Sequence, residues 1–231
     1  VTFDQALCIC HVFEVCFNLP LDRVVIEHLC YVVTPELVPQ ICYVCLIQWK
    51  WPDAPESGFD DIDERVEDLT LDSPAFPDAA SLQTDDELGR LKVVPYLGLN
   101  ESNEYEKLYA FGGRSFSIWD ENGKQIFDSG SDFEKITAGL FGLDFNNDED
   151  DNDRDTRADA EGPEPEALSV GQVGERIYAF IGFERMGGIA MYDITNPYGV
   201  QFVDYTNNRD FDNIDNGDLA PEGMTFVSAE N

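Results

Sequence analysis

Oxygen ligands suited to a hard cation are concentrated in one stretch of this chain. Residues 144–166, DFNNDEDDNDRDTRADAEGPEPE, hold eleven carboxylates and two arginines in twenty-three residues. Calcium takes roughly six to eight oxygens, and one loop rich in Asp, Asn and Glu can supply several of them. Asp144, Asn146, Asp148 and Asp150 alternate like the first positions of a calcium loop, with Asp153 close behind. The sixth position is Glu149, where an EF-hand needs glycine, and no helix pattern flanks the run. An irregular oxygen cage is therefore expected rather than an EF-hand. Glu164, Glu166 and Glu222 are its further candidate ligands, since PEALSV (165–170) and PEGMTFV (221–227) place Glu166 and Glu222 at matching points. The plainer alternative is a solvated charge run, with each Pro-Glu pair a turn and a surface carboxylate.

Three arginines offer the opposite chemistry. Arg114, Arg185 and Arg209 lie in turns flanked by glycine or asparagine, in GGRS, FERMGG and NNRDF. A guanidinium fork suits phosphate and other anions, whereas structural ion pairing is its other use in so acidic a chain. A metal held by carboxylates beside such a fork would make a metal-dependent phosphoesterase, the runner-up to a binding module. Residues 54–231 contain no His and no Cys, which removes Ser-His-Asp and Cys-His mechanisms there. No glycine-rich phosphate loop occurs.

The whole chain carries this bias. Its 231 residues include 47 acids against 14 bases, a net charge of −33. Nucleic acid and anionic membrane surfaces both draw on Lys and Arg, so neither is an expected partner. Divalent cations are. The charge is uneven: residues 1–53 hold six acids and two bases, and the other 41 acids and 12 bases follow. All six cysteines (Cys8, Cys10, Cys16, Cys30, Cys42, Cys45) and both histidines (His11, His28) lie in that first part. These compositions divide the chain into an apolar, Cys-rich segment, 1–53, and a second domain, 54–231. Zinc ligation, disulfides and plain buried thiols all fit the cysteines. Leu29 to Trp49 is mostly apolar, but Glu36, Pro35 and Pro39 interrupt it, which argues against a membrane span.

From Leu91 onward, short β-type runs alternate with Gly, Asn and Asp turns: KLYAFGG, SFSIWD, QIFDSG, RIYAFIGF, GIAMYDI and QFVDYT. No long amphipathic helix pattern interrupts them, and one or two short helices are expected in 60–90. KLYAFGGRSFSIWDENGKQIFDSG (107–130) parallels RIYAFIGFERMGGIAMYDITNPYGVQFVDY (176–205). Each half has Tyr-Ala-Phe, a glycine turn, a run ending in aromatic-Asp, a turn and another aromatic strand. The class is mainly β. The unit reads as a four-stranded antiparallel blade, with tandem sandwich hairpins as the alternative, so the expectation is a partial β-propeller with 109–111 and 178–180 in equivalent inner strands. Residues 1–53 are expected to pack apolar faces against an exposed edge of that arc, or against a partner.

DSPAFPDAASLQTDDELGRLKV, KLYAFGGRSFSIWDENGKQIFDSGSDFEKITA and GPEPEALSVGQVGERIYAFIGFERMGGIAMYDIT together resemble the mesenchyme-specific cell-surface glycoprotein family, whose bacterial members are called choice-of-anchor I proteins. The resemblance covers roughly residues 57–231. It implies an extracellular or surface-anchored β-propeller, of which this chain would be the C-terminal part. Eukaryotic members are associated with biomineralisation, and some bacterial members are fused to, or described as, alkaline phosphatases or nucleotidases. The family keeps an acidic loop before GPEPE, which favours a role beyond solubility. The expected function is a calcium-associated module for surface binding or adhesion, with matrix, mineral or a second copy of the chain as partner.

Overall fold

The computed structural model describes residues 28–32, 43–47, 63–110, 114–120, 122–148, 150, 152–160, 162–213 and 216–229. Among the described residues, ten strands fall in chain order: β1 (His28–Val32), β2 (Tyr43–Ile47), β3 (Glu64–Arg65), β4 (Lys92–Val93), β5 (Phe116–Trp119), β6 (Gln125–Asp128), β7 (Pro165–Val173), β8 (Arg176–Phe183), β9 (Ile189–Asp193) and β10 (Gln201–Thr206). They form two four-stranded sheets, β1-β2-β5-β6 and β10-β9-β8-β7, and the small ladder β3-β4. Every pairing between these strands is antiparallel. The chain is mainly β, as its short alternating runs require.

The second sheet is a meander whose local chemistry is plain. Gly174 turns β7 into β8 at φ +63. Ala179, Ile181, Ala190 and Tyr192 are all but fully buried, while Met191 and Phe180 are not. This is the period-2 pattern of strands that bury one face more deeply. The aromatic-Asp motif ends a strand in both repeats for one reason. Asp193 Oδ1 accepts the Thr195 N–H at 2.9 Å, and Asp120 Oδ1 accepts those of Asn122 and Lys124 at 2.9 Å each. Each carboxylate thus closes an Asx turn and stops its strand.

The two sheets share one core. Phe116 of β5 meets Tyr192 of β9 edge-on at 4.8 Å, and both meet Phe133 at 6.2 Å. Phe133 comes from a ten-residue helix (Asp132–Phe141) between β6 and β7. The sequence pattern gave no warning of this helix, because Thr137 and Gly139 are weak helix formers. Tertiary packing supplies what propensity lacks: Phe133 and Thr137 are fully buried, and Ile136 packs on the same cluster. Residues 60–90 do hold short helical pieces, a 3-10 turn (Val66–Asp68) and the single turn Ala79–Leu82. These flank a second, smaller core of Val66, Leu69, Leu71, Val93 and Tyr105.

Two strand expectations fail. Tyr109 and Ala110 do not enter the first sheet; Ala110 makes an isolated bridge to Val93, and the Val94 N–H donates to the Tyr109 carbonyl at 2.8 Å. PEGMTFV is not a strand either. It crosses the second sheet as an irregular segment, with the Phe226 N–H on Ser169 Oγ at 2.9 Å and its ring stacked on Phe180 at 5.9 Å. Gly171 makes that crossing possible, since a Cβ there would lie 2.2 Å from the Phe226 ring.

The position that Tyr109-Ala110 leaves is taken by β2, which pairs with β5 from Tyr43↔Trp119 to Leu46↔Phe116. The first sheet thus spans the composition break at residues 53–54. The expectations placed on the cysteine side chains and on residues 1–27, 33–42 and 48–62 lie outside the described residues. Among the described residues, no helix is long and apolar enough to cross a membrane.

Candidate functional site

The hairpin of β7 and β8 brings three carboxylates to one point. Glu164, Glu166 and Glu184 each offer an oxygen, and these three atoms lie within 4.8 Å of one another. Antiparallel pairing does most of this, by setting the start of β7 against the end of β8, with Pro165 opposite Phe183. A register shift between Pro165 and Ala167 leaves Glu166 as the extra residue of a bulge, a device that re-aims a side chain. The Glu184 N–H donates to the Glu164 carbonyl at 2.7 Å and closes the corner. Glu164 itself sits at φ +49, a left-handed backbone that non-glycine residues adopt rarely and at some cost.

Arginines neutralise part of this charge. Glu164 is 5% exposed and carries two partners: Arg157 on Oε1 and the Arg185 Nε on Oε2 at 2.9 Å. Arg185 also approaches Glu184 at 3.9 Å, and Arg157 approaches Asp148 at 3.8 Å. A buried carboxylate with a guanidinium on each oxygen is well satisfied. Glu166 and Glu184 are half-buried and belong to the same corner, where three carboxylates meet two guanidiniums among the described residues.

The acidic loop is organised around a third arginine. Arg209 Nη2 donates to Asn147 Oδ1 and Asn152 Oδ1 at 2.6 Å each and to the Asp148 carbonyl, while Nη1 donates to the Arg185 carbonyl at 2.7 Å. Its guanidinium also lies over the Phe211 ring at 5.0 Å. These loop oxygens converge as they would on a metal, but the cation they surround belongs to the protein. Arg114 plays a similar part nearby, donating to Glu134 Oε1 at 3.1 Å and to the carbonyls of Ala158 and Ala160 at 2.7 Å each. Gly162 (φ +66) lets it pass, since a Cβ there would sit 3.1 Å from Arg114 Nη1.

The sequence candidates thus separate into groups. Glu164 and Glu166 come together, and Asp148 joins them through Arg157. Asp144 accepts from Arg154 Nε at 2.7 Å, at the exposed edge of the loop. Asn146 is buried, and its Oδ1 has no hydrogen-bond partner among the described residues. Asp150 and Asp153 are exposed, and the Asp153 carbonyl accepts the Asp148 N–H at 3.2 Å. Glu222 is exposed on the C-terminal segment and stands outside the Glu164 cluster. Arg185 and Arg209 both enter the cluster's surroundings, on protein oxygens, as Arg114 does near Glu134. Sequence reasoning missed Glu184 and Arg157. Glu184 was findable: in a tight β7–β8 hairpin, the residues after RIYAFIGF must return beside those before ALSV.

Two of the Asx carboxyls lie below the ordinary carboxylate range. At Asp120 the Lys124 N–H is the main cause. At Asp193 burial pushes the carboxyl up, but hydrogen bonds from Thr195 and Arg176 together outweigh it.

The sequence model of the choice-of-anchor I domain matches residues 55–197. Gigasin-3a of Magallana gigas is 35% identical over 122 residues, which cover 50% of this chain and 43% of the relative. The chain therefore matches less than half the length of that curated relative. No solved structure matches it. The chain belongs to the choice-of-anchor I domain family.

Proposed function

We propose that this choice-of-anchor I chain is part of an extracellular or surface-anchored protein, and that it binds calcium at Glu164, Glu166 and Glu184 in the service of surface binding or adhesion. The convergence of those three carboxylates carries the reading. Two oxygens on one calcium, each at about 2.4 Å, are at most about 4.8 Å apart, so the three atoms lie within the reach of a single ion. Arg157 and Arg185 reduce the attraction of the corner for a cation, because both already hold Glu164. The affinity expected is accordingly in the weak range of extracellular modules, on the order of 10⁻⁴ to 10⁻³ M, matched to calcium outside cells.

The two four-stranded sheets are, on this reading, blades of a partial propeller. Matrix, mineral or a second copy of the chain is the partner, reached through an acidic surface bridged by divalent ions. A net charge of −33 speaks against nucleic acid as a partner.

Calorimetric titration of the full chain with calcium tests the site. Millimolar binding that disappears in Glu166→Gln and Glu184→Gln is expected. Binding unchanged in both variants would move the ion elsewhere. Calcium-dependent hydrolysis of p-nitrophenyl phosphate, lost in the same variants, would favour a metal-dependent phosphoesterase instead.

A further inference from the structure

The two large sheets are filled from different parts of the chain at one equivalent position. The sequence repeat aligns β5 with β9 and β6 with β10, setting Trp119-Asp120 on Tyr192-Asp193. The same repeat aligns Tyr109-Ala110-Phe111 with Tyr178-Ala179-Phe180, three identities in a row. In the second sheet, that segment is β8 and pairs along β9, with Tyr178 opposite Asp193 and Ala179 opposite Tyr192. In the first sheet, the corresponding edge of β5 is occupied by β2, from more than sixty residues upstream.

Tyr109 and Ala110, which match β8 in sequence, thus lie away from the place equivalent to that of β8. The segment is held elsewhere by one isolated bridge, Ala110 to Val93, by the Val94 N–H on the Tyr109 carbonyl, by the Lys107 N–H on the Gly98 carbonyl at 3.3 Å, and by Leu108 against the smaller core. Tyr109 is 41% exposed. The β8–β9 register transfers to β5 without distortion of the count. Ala110 opposite Trp119 brings position 113 opposite 116, which leaves Arg114-Ser115 as a two-residue hairpin loop, the commonest length. Such a hairpin also closes a far shorter loop than β2 does, at a lower entropic cost. The β5 edge cannot stand empty, because Phe116, Ser117 and Ile118 are at most 1% exposed and their backbone groups need partners.

We propose that this edge of β5 is a strand-acceptor surface with two occupants in the same chain, β2 and the segment 107–111, which exchange. Insertion of 107–111 completes a sheet built from consecutive chain, like the second one, and releases β1 and β2 as a detached apolar strand pair.

Hydrogen exchange on the full chain tests this, read amide by amide. Val44→Pro disrupts β2 opposite Ile118, since proline is poorly tolerated inside a ladder. Exchange between occupants predicts that the amides of Phe116–Trp119 stay protected in this variant, while Val94 loses protection by about tenfold or more as the Tyr109 carbonyl leaves it. Exposure of β5, or a Val94 amide still protected, would overturn the proposal. A second variant leaves β2 intact. Ala110→Pro bars the competing segment, so the amides of Tyr43–Ile47 are expected to exchange more slowly than in the unaltered chain, and an unchanged or faster rate there would equally count against two occupants.

Discussion

The two four-stranded sheets have the same order of equivalent positions, yet they are assembled in opposite ways. The second, β7 to β10, is one continuous run of chain from 165 to 206, in which each strand pairs with the next. The first takes β5 and β6 from one hairpin and β1 and β2 from a distant, mostly apolar segment. Local hairpins close short loops and pair in a register that the turns specify. The first sheet lacks that help on one side of β5. The difference teaches where the fold is dictated by neighbouring residues and where it depends on which segment arrives. It also bears on the candidate site, because Glu164, Glu166 and Glu184 all ride on the locally determined sheet.

The largest expected effect comes from the contact that joins the sheets. Phe116→Ala removes a fully buried ring that touches Phe127, Phe133 and Tyr192, and should cost about 3–5 kcal/mol in chemical denaturation. Because Phe116 and Tyr192 face each other, Tyr192→Leu in combination should be non-additive with it. Additive losses would mean that the sheets are stabilised separately and that the shared core is only geometrical.

Next comes the site's own corner. Glu164→Gln leaves Arg157 and Arg185 without their common carboxylate in a nearly closed environment, at a cost on the order of 3 kcal/mol. Glu166→Gln, at a half-buried position, should leave stability within about 0.5 kcal/mol. Urea unfolding of the two variants side by side gives the comparison. Equal effects would contradict the separation of a structural glutamate from a ligand glutamate.

A smaller effect is expected where the C-terminal segment lies on the second sheet. Gly171→Ala places a methyl in the Phe226 ring's position and should cost about 1–3 kcal/mol. It should also raise protease cleavage after residue 220, while the β8–β9 amides keep their protection.

The smallest concerns acid. Asp193 has a folded pKa below its unfolded value, so its contribution is present above the usual carboxylate pKa and is lost as pH falls through the folded value. Asp193→Asn should therefore flatten the fall in melting temperature below about pH 4 and reduce stability modestly at neutral pH. An unchanged acid limb would show that the Asx turn is not linked to folding.

Much of this was legible in the sequence, for local reasons. The strands β5 to β10 follow from alternating aromatic and β-branched runs bounded by Asp, Asn and Gly, and the aromatic-Asp repeat marks both Asx turns. The helix carrying Phe133 was not legible, because its stability comes from the core it enters rather than from its own residues. The first Tyr-Ala-Phe misled for a complementary reason: its pattern favours the strand position, but β2 holds that position. At the site, Glu164 and Glu166 were visible as part of a dense acidic run. Glu184 is legible only through the hairpin, since a lone glutamate after a strand carries no signal until the strands before and after the turn are set side by side. The loop's oxygens suggest a metal cage by sequence alone, yet those of Asn147, Asp148 and Asn152 converge on Arg209, a residue more than fifty positions away.

The most direct test of the calcium reading is the melting temperature of the full chain in chelator, in millimolar calcium and in sodium chloride of matched ionic strength. Screening alone acts on all 47 carboxylates alike. A coordinated ion adds stability by mass action, about 1.4 kcal/mol at a tenfold excess over its dissociation constant. The account predicts a larger upward shift in calcium than in sodium, and loss of the difference in the Glu166→Gln, Glu184→Gln double variant. Equal shifts from the two salts, or a calcium increment that survives in that variant, would contradict it.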